Sequence, residues 1–176
     1  MALRQTILTV LAHRKRTGYE IARDFDQVMS HLWSASHQQI YRELGRLTED
    51  GCVTFTVMPQ KGKPDKKVYA LTKAGRAELR RWVADPTPPP RVQDEFLVKI
   101  LAGVLVDKPA IRREVARVRA SRAVWLQQLQ AMRQACDAVP NRTDYEQTLN
   151  LQVQWGATIL AAQVEWLKDV AAHLQK

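Results

Sequence analysis

The sequence predicts a mainly α-helical fold with one small β-hairpin. Three observations carry that prediction. Apolar residues recur at helical spacing through most of the 176 residues. One alternating stretch, Val53-Thr54-Phe55-Thr56-Val57, departs from it and has strong strand propensity. A proline-rich run, Asp85-Pro86-Thr87-Pro88-Pro89-Pro90, separates shorter helical patterns before it from much longer ones after it. The expected organisation is therefore a domain over residues 1–85, a linker over 86–91 and a helical domain over 92–176.

The first helix passes through Leu3, Ile7, Leu8 and Leu11, and Arg14-Lys15-Arg16 suits its C-terminal end. Gly18 reads as a turn. A second helix follows, with Tyr19, Ile21, Ala22, Phe25, Val28, Met29 and Leu32 as its core stripe. Ser34 or Ser36 can cap a third, since a serine oxygen accepts a hydrogen bond from an unpaired N–H of the first turn. At 100° per residue, Ile40, Leu44 and Leu47 of that helix share one buried face. Gln38, Arg42, Gly45 and Glu49 lie opposite, flanked by Tyr41 and Arg46. Gly51 is placed to end it.

The alternating strand comes next, then Gln60-Lys61-Gly62-Lys63-Pro64-Asp65-Lys66-Lys67, then a second strand at Val68-Tyr69-Ala70-Leu71. Together they read as a hairpin with a basic tip. Thr72 caps a fourth helix through Ala74, Leu79, Trp82 and Val83. Three helices, a hairpin and a helix, in that order, describe a winged helix-turn-helix, whose third helix enters a major groove while the wing meets the adjacent backbone.

The charge agrees with this reading. The chain carries 27 Lys and Arg against 18 Asp and Glu, a net +9, with +7 in residues 1–91 and +2 in 92–176. A pI near 9.9 admits either nucleic acid or an anionic membrane as partner. The lysines at the hairpin tip favour double-stranded DNA, because phosphate contacts release counterions. Gln38, Tyr41, Arg42 and Arg46 offer the amide, phenol and guanidinium groups that read base edges and phosphates. The expected DNA contacts are these four with Ser36, Gln39, Lys61, Lys63, Lys66 and Lys67.

At this point the residues carry a family resemblance. Gly18-Tyr19-Glu20-Ile21, the run Trp33-Ser34-Ala35-Ser36-His37-Gln38-Gln39-Ile40-Tyr41-Arg42-Glu43-Leu44, and Gly62-Lys63-Pro64-Asp65-Lys66-Lys67-Val68-Tyr69 with Leu71-Thr72 and Gly75 resemble the PadR family of transcriptional regulators. They are similar to the branch named for control of phenolic acid decarboxylase. The likeness continues through Glu95-Phe96-Leu97-Val98-Lys99 and more loosely to the C-terminus. It implies a cytoplasmic homodimeric repressor whose affinity for DNA drops when a small aromatic inducer, such as a phenolic acid, binds.

Beyond the linker a short helix is expected from about Gln93 to Val106. Asp107 and Pro109 mark the next start. Ile111, Val115, Val118, Arg122, Trp125, Leu129, Met132 and Cys136 then form a heptad seam, broken once by Arg122. That arginine either snorkels to the surface, the favoured reading, or is a buried charge facing a carboxylate. Pro140 and Asn141 end the seam, and a last helix runs from about Thr143 to Leu174. It has two apolar stripes: Leu149, Val153, Leu160, Val164, Leu167 and Leu174 in one, Tyr145, Trp155, Ile159, Trp166 and Val170 in the other. A second apolar face on so small a domain needs a cover, most simply a second copy of the chain. A homodimer through these helices is expected, and reading a palindromic operator requires one.

Other classes are disfavoured. The longest apolar run, Ile100 to Val106, is far short of a membrane span, and the first residues lack a signal-peptide pattern, so neither secretion nor membrane binding is expected. Cys52 and Cys136 form neither a disulfide framework nor a zinc motif and read as small core residues. His13, His31, His37 and His173 have no metal-ligand spacing, and no phosphate loop or nucleophile elbow is present, so neither a cofactor nor catalysis is expected. Five tryptophans leave room for an aromatic effector, with Trp33 and Trp155 as stacking candidates and Tyr19, His37 and Asn150 as hydrogen-bonding ones. The competing function is a helical adaptor, or a small-molecule sequestering module whose winged domain binds protein. The lysine-rich hairpin argues against it.

Overall fold

A computed structural model of the chain describes residues 2–25, 35–60, 62, 65–87, 89 and 94–175. The chain divides into two compact units, Met1–Pro89 and Pro90–Lys176.

The first unit contains α1 (Ala2–His13), β1 (Arg16–Thr17), α2 (Gly18–Asp24), α3 (His37–Glu49), β2 (Val53–Met58), β3 (Lys66–Leu71) and α4 (Lys73–Ala84). The hairpin is therefore part of a three-stranded antiparallel sheet ordered β1-β3-β2. The added strand pairs Arg16 with Tyr69 and Thr17 with Val68. Two residues are too few for any periodicity, which is why sequence patterning passes over β1. Gly18 is likewise not a turn: it is the first residue of α2. Thr17 caps that helix by accepting from the Glu20 N–H, and the Glu20 carboxylate accepts from the Thr17 N–H at 2.7 Å. The expected continuation of this helix through Val28, Met29 and Leu32, and Trp33 beyond it, lies outside the described residues.

Ile7, Leu8, Ile21, Phe25, Ile40, Leu44 and Leu47 meet in a fully buried core. The apolar face predicted for α3 is thus the one it buries. Ser36 caps this helix, its hydroxyl accepting from the Gln39 N–H while the Gln39 amide oxygen accepts from the Ser36 N–H at 2.8 Å. At the other end Gly51 takes φ +68°, with Gly51 N–H donating to Thr48 O and Cys52 N–H to Leu47 O. That is a Schellman ending, which favours glycine at this position.

α4 is joined to the helices by a charged clasp. Arg4 donates twice to the Glu78 carboxylate, at 2.7 and 2.9 Å, and once to Asp50 at 2.8 Å, with Glu43 3.5 Å away. The buried Cys52 thiol donates to Glu78 at 3.1 Å. Thr72 caps α4 by accepting from the Gly75 N–H at 3.1 Å.

Among the described residues the second unit has three helices, α5 (Glu95–Val106), α6 (Lys108–Asp137) and α7 (Asp144–Gln175). Asp94, Asp107 and Thr143 accept from N–H groups of their first turns. Ile111 and Val115 pack with Leu167 and Leu174, and Leu129 with Val153, Ala157 and Leu160, so α6 and α7 run antiparallel. The buried stripe of α7 is the one through Val153, Leu160, Leu167 and Leu174. Trp155, Ile159 and Trp166 of the second predicted stripe, roughly 90–130° round the helix from the middle of the buried one at 100° per residue, are exposed, whereas Val170 of that stripe packs against the buried cluster. Cys136 is half-buried.

Arg122 departs from the snorkelling expectation. Its side chain is only 20% accessible, pairs with Asp94 at 3.9 Å and lies 5.6 Å over the Phe96 ring. The packing of α5 on α6 brings both partners to it, a long-range contact that a heptad pattern does not encode.

Candidate nucleic-acid interface

The outward side of α3 follows from its burial. Fixing Ile40, Leu44 and Leu47 inside leaves Gln38, Arg42 and Arg46 exposed, with Tyr41 48% exposed on the flank. Arg46 lies 3.5 Å from Glu43, which tethers it loosely to its own helix. Ser36 and Gln39 are engaged with each other in the helix cap.

The sheet carries a second element to the same place. In the β2–β3 ladder Phe55 pairs with Tyr69, Val57 with Lys67 and Met58 with Lys66. Phe55 and Tyr69 rings lie 5.7 Å apart, and the Lys67 ammonium sits 4.5 Å over the Phe55 ring. This contact orients an otherwise flexible lysine. At the loop the Gln60 N–H donates to Asp65 at 3.3 Å, and Gly62 takes φ +71°. Lys61 and Lys63 lie outside the described residues.

α3, the start of α2 and the base of the hairpin enclose an open concavity of about 760 Å³ lined by Thr17, Gly18, Tyr19, Glu20, Arg23, Tyr41, Gly45, Asp65, Lys66, Lys67 and Tyr69. Arg23, Lys66 and Lys67 are its cations. Glu20 is held below the usual carboxylate range, first by the Thr17 backbone and hydroxyl hydrogen bonds, so it stays ionised while serving the α2 cap. Burial, with Tyr41 nearby, pushes the Tyr69 phenol up and keeps it a neutral donor. The lining thus offers three phenols and three cations beside the carboxylates of Glu20 and Asp65, and the phenols and cations are groups suited to a phosphate backbone.

Of the sequence-predicted contacts, the structure gathers Tyr41, Lys66 and Lys67 here, with Gln38, Arg42 and Arg46 along the exposed length of α3. Tyr19, expected in the core stripe of α2 and as an effector contact, is 65% exposed and so not part of the core; it lines this concavity. Sequence reasoning missed Thr17, Gly18, Arg23 and Tyr69. The pairing of β1 with β3 brings the first two here, and no local pattern reveals it.

The other effector candidates are dispersed. His37 is exposed in the first turn of α3. In the second unit the Asn150 amide donates to Asp137 at 2.8 Å, beside Arg142 on the same carboxylate oxygen, which ties α7 to the end of α6. The Asn150 amide oxygen is buried without a hydrogen-bond partner, and Trp155 is 59% exposed. Trp33 lies outside the described residues.

Among the described residues no group of three His, Cys, Asp or Glu could hold a metal ion, and no helix is long and apolar enough to cross a membrane.

Comparison with known proteins places this geometry. Residues 7–81 match the transcriptional regulator PadR-like family, and residues 92–175 match the virulence activator alpha C-terminal family. The chain is 35% identical to a probable transcriptional regulator of Mycobacterium tuberculosis, over 100% of this chain and 99% of that one. It belongs to the PadR-like family of transcriptional regulators. That family consists of regulators, not enzymes.

Among relatives, the negative transcriptional regulator PadR of Bacillus subtilis is 41% identical over 98 residues, 55% of this chain and 54% of that one. Its crystal structure in complex with operator DNA is similar with a TM-score of 0.85 at 28% identity, covering 99% of both chains. The complex of the same protein with p-coumaric acid gives 0.82 at 27%, covering 100% of both. The Vibrio cholerae virulence activator AphA gives 0.82 at 32%, covering 98% of both.

Proposed function

We propose that the chain is a cytoplasmic transcriptional repressor that binds a palindromic operator as a homodimer and releases it when a small aromatic effector binds. The observation that carries this is the meeting of Tyr41 of α3 with Lys66 and Lys67 of the wing around one open concavity, with Gln38 and Arg42 exposed on the same helix. In a major groove, Arg42 is suited to the two acceptors of a guanine edge and Gln38 to the donor and acceptor of adenine. Lys61, Lys63, Lys66 and Lys67 neutralise phosphates, and Arg23 and Arg46 add to that field. Ser36 and Gln39 act by fixing the start of the helix that carries the reading residues. Residues 1–85 are the DNA-binding domain, 86–91 the linker and 92–176 the dimerisation and effector domain.

The second unit supports the homodimer. Trp155, Ile159 and Trp166 form an exposed stripe on α7 beside the buried one, and a second copy would cover it. Two winged units about 34–36 Å apart then read half-sites one helical turn apart. The aromatic effector, of the phenolic acid class, is supported by the p-coumaric acid complex of the Bacillus subtilis relative. In the second unit Asn150, with its unpartnered amide oxygen, and Trp155 are the proposed contacts. An effector that binds the DNA-incompetent dimer more tightly shifts the population toward it.

Selection of duplexes from a random pool by the wild-type protein tests the proposal. The expected result is an inverted repeat with half-site centres about 10 base pairs apart. Enrichment of no duplex would overturn it.

A further inference from the structure

Gly18 is buried as the first residue of α2, yet nothing about its backbone demands glycine. Its φ is not in the left-handed region, where only Gly51 and Gly62 fall among the described glycines. Alanine is the better helix former. What glycine supplies here is space. A Cβ built on Gly18 would stand 2.5 Å from Cε1 of the Tyr41 ring and 3.3 Å from Cδ1 and Cζ. The first distance is inside any tolerable contact, so the ring has to move if position 18 gains a side chain.

Tyr41 is the residue through which that displacement matters. It projects from α3 into the concavity shared with Tyr19, Tyr69, Lys66 and Lys67. Its phenol is close enough to Tyr69 to contribute to raising that group's pKa, and Tyr69 makes a tilted ring contact with Phe55, over which Lys67 sits. The ring therefore lies against the bare backbone of Gly18 while lining the same concavity as the base of the wing.

We infer that Gly18 is a positioning residue: by having no side chain, it seats the Tyr41 ring against the first turn of α2 and so sets where the phenol stands on the DNA-facing surface. This inference rests on the DNA-binding reading. Gly18 touches no base; it acts through Tyr41.

The test is a double-mutant cycle on the full chain, read by fluorescence anisotropy with a fluorescein-labelled duplex selected from a random pool by the wild-type protein. Gly18→Ala is expected to weaken binding about fivefold or more, and the same substitution in a Tyr41→Ala background to change it less than about twofold, since residues in contact are non-additive. In a Tyr41→Phe background, which keeps the ring, the full loss should return. An undiminished loss in the Tyr41→Ala background, or wild-type binding by Gly18→Ala, would overturn the inference while leaving the DNA reading intact. Should alanine at 18 lower the melting temperature, Tyr41→Ala must restore it; failure to restore also overturns the inference. A wild-type protein that enriches no duplex removes the DNA reading and this inference with it.

Discussion

Replacing Glu78 by Gln tests the charged clasp that joins α1, α3 and α4. Arg4 hydrogen bonding holds the Glu78 carboxyl at about 2, against an ordinary 4.5. A difference of roughly 2.5 units corresponds to about 3 kcal/mol of preference for the ionised form in the folded state. Gln keeps the shape and one acceptor, so Glu78→Gln is expected to cost about 2–3 kcal/mol at pH 7. Because the folded carboxyl titrates below the unfolded one, the unfolded chain takes up the proton first as pH falls. The contribution is complete above about pH 4.5 and lost by about pH 2. The assay is urea unfolding between pH 7 and 2.5, with Trp125, Trp155 and Trp166 changed to Phe in both proteins. Trp33 and Trp82 then report the first unit alone. The stability gap between the protein with its native Glu78 and the Glu78→Gln variant should close progressively below pH 4.5, other carboxylates cancelling in the difference. A gap that is absent, or constant down to the lowest pH of the series, would refute the reasoning.

Lys66→Ala should weaken binding to selected and scrambled duplexes alike and flatten the slope of log affinity against log salt by about one, measured by anisotropy titrations. Ile159→Glu places a charge in the exposed α7 stripe and should convert a dimer to a monomer in sedimentation equilibrium, with the helix content unchanged by circular dichroism. p-Coumaric acid at a hundredfold excess over its Kd should raise stability by about 2.7 kcal/mol in a thermal-shift series. No shift across phenolic acids would remove that effector class and leave DNA binding standing.

Much of the fold was legible because it is written in local periodicity. The α3 face through Ile40, Leu44 and Leu47, the Ser36, Thr72 and Asp107 caps, Gly51 at the helix end and the two stripes of α7 all follow from spacing and capping chemistry. What escaped depends on contacts between distant segments. Arg16 and Thr17 become a strand only because β3 is there to pair with them, and that pairing turns Gly18 into a helix start. Arg122 looked like a surface residue because its partners, Asp94 and Phe96, come from another helix. At the candidate interface, the exposure of Tyr41, Arg42, Lys66 and Lys67 was readable from side-chain type and helical angle. Arg23 and Tyr69 were not, because the packing of α2 on α3 brings the first beside that helix and the folded sheet brings the second.

The central claim is that α3 reads sequence while the wing supplies backbone affinity. Anisotropy titrations of wild-type and Arg42→Ala proteins against the selected duplex and a scrambled one of equal length test it most directly. The account predicts that Arg42→Ala loses about 1–3 kcal/mol on the selected duplex and far less on the scrambled one, narrowing the ratio between them. Equal loss on both, or none on either, would contradict it.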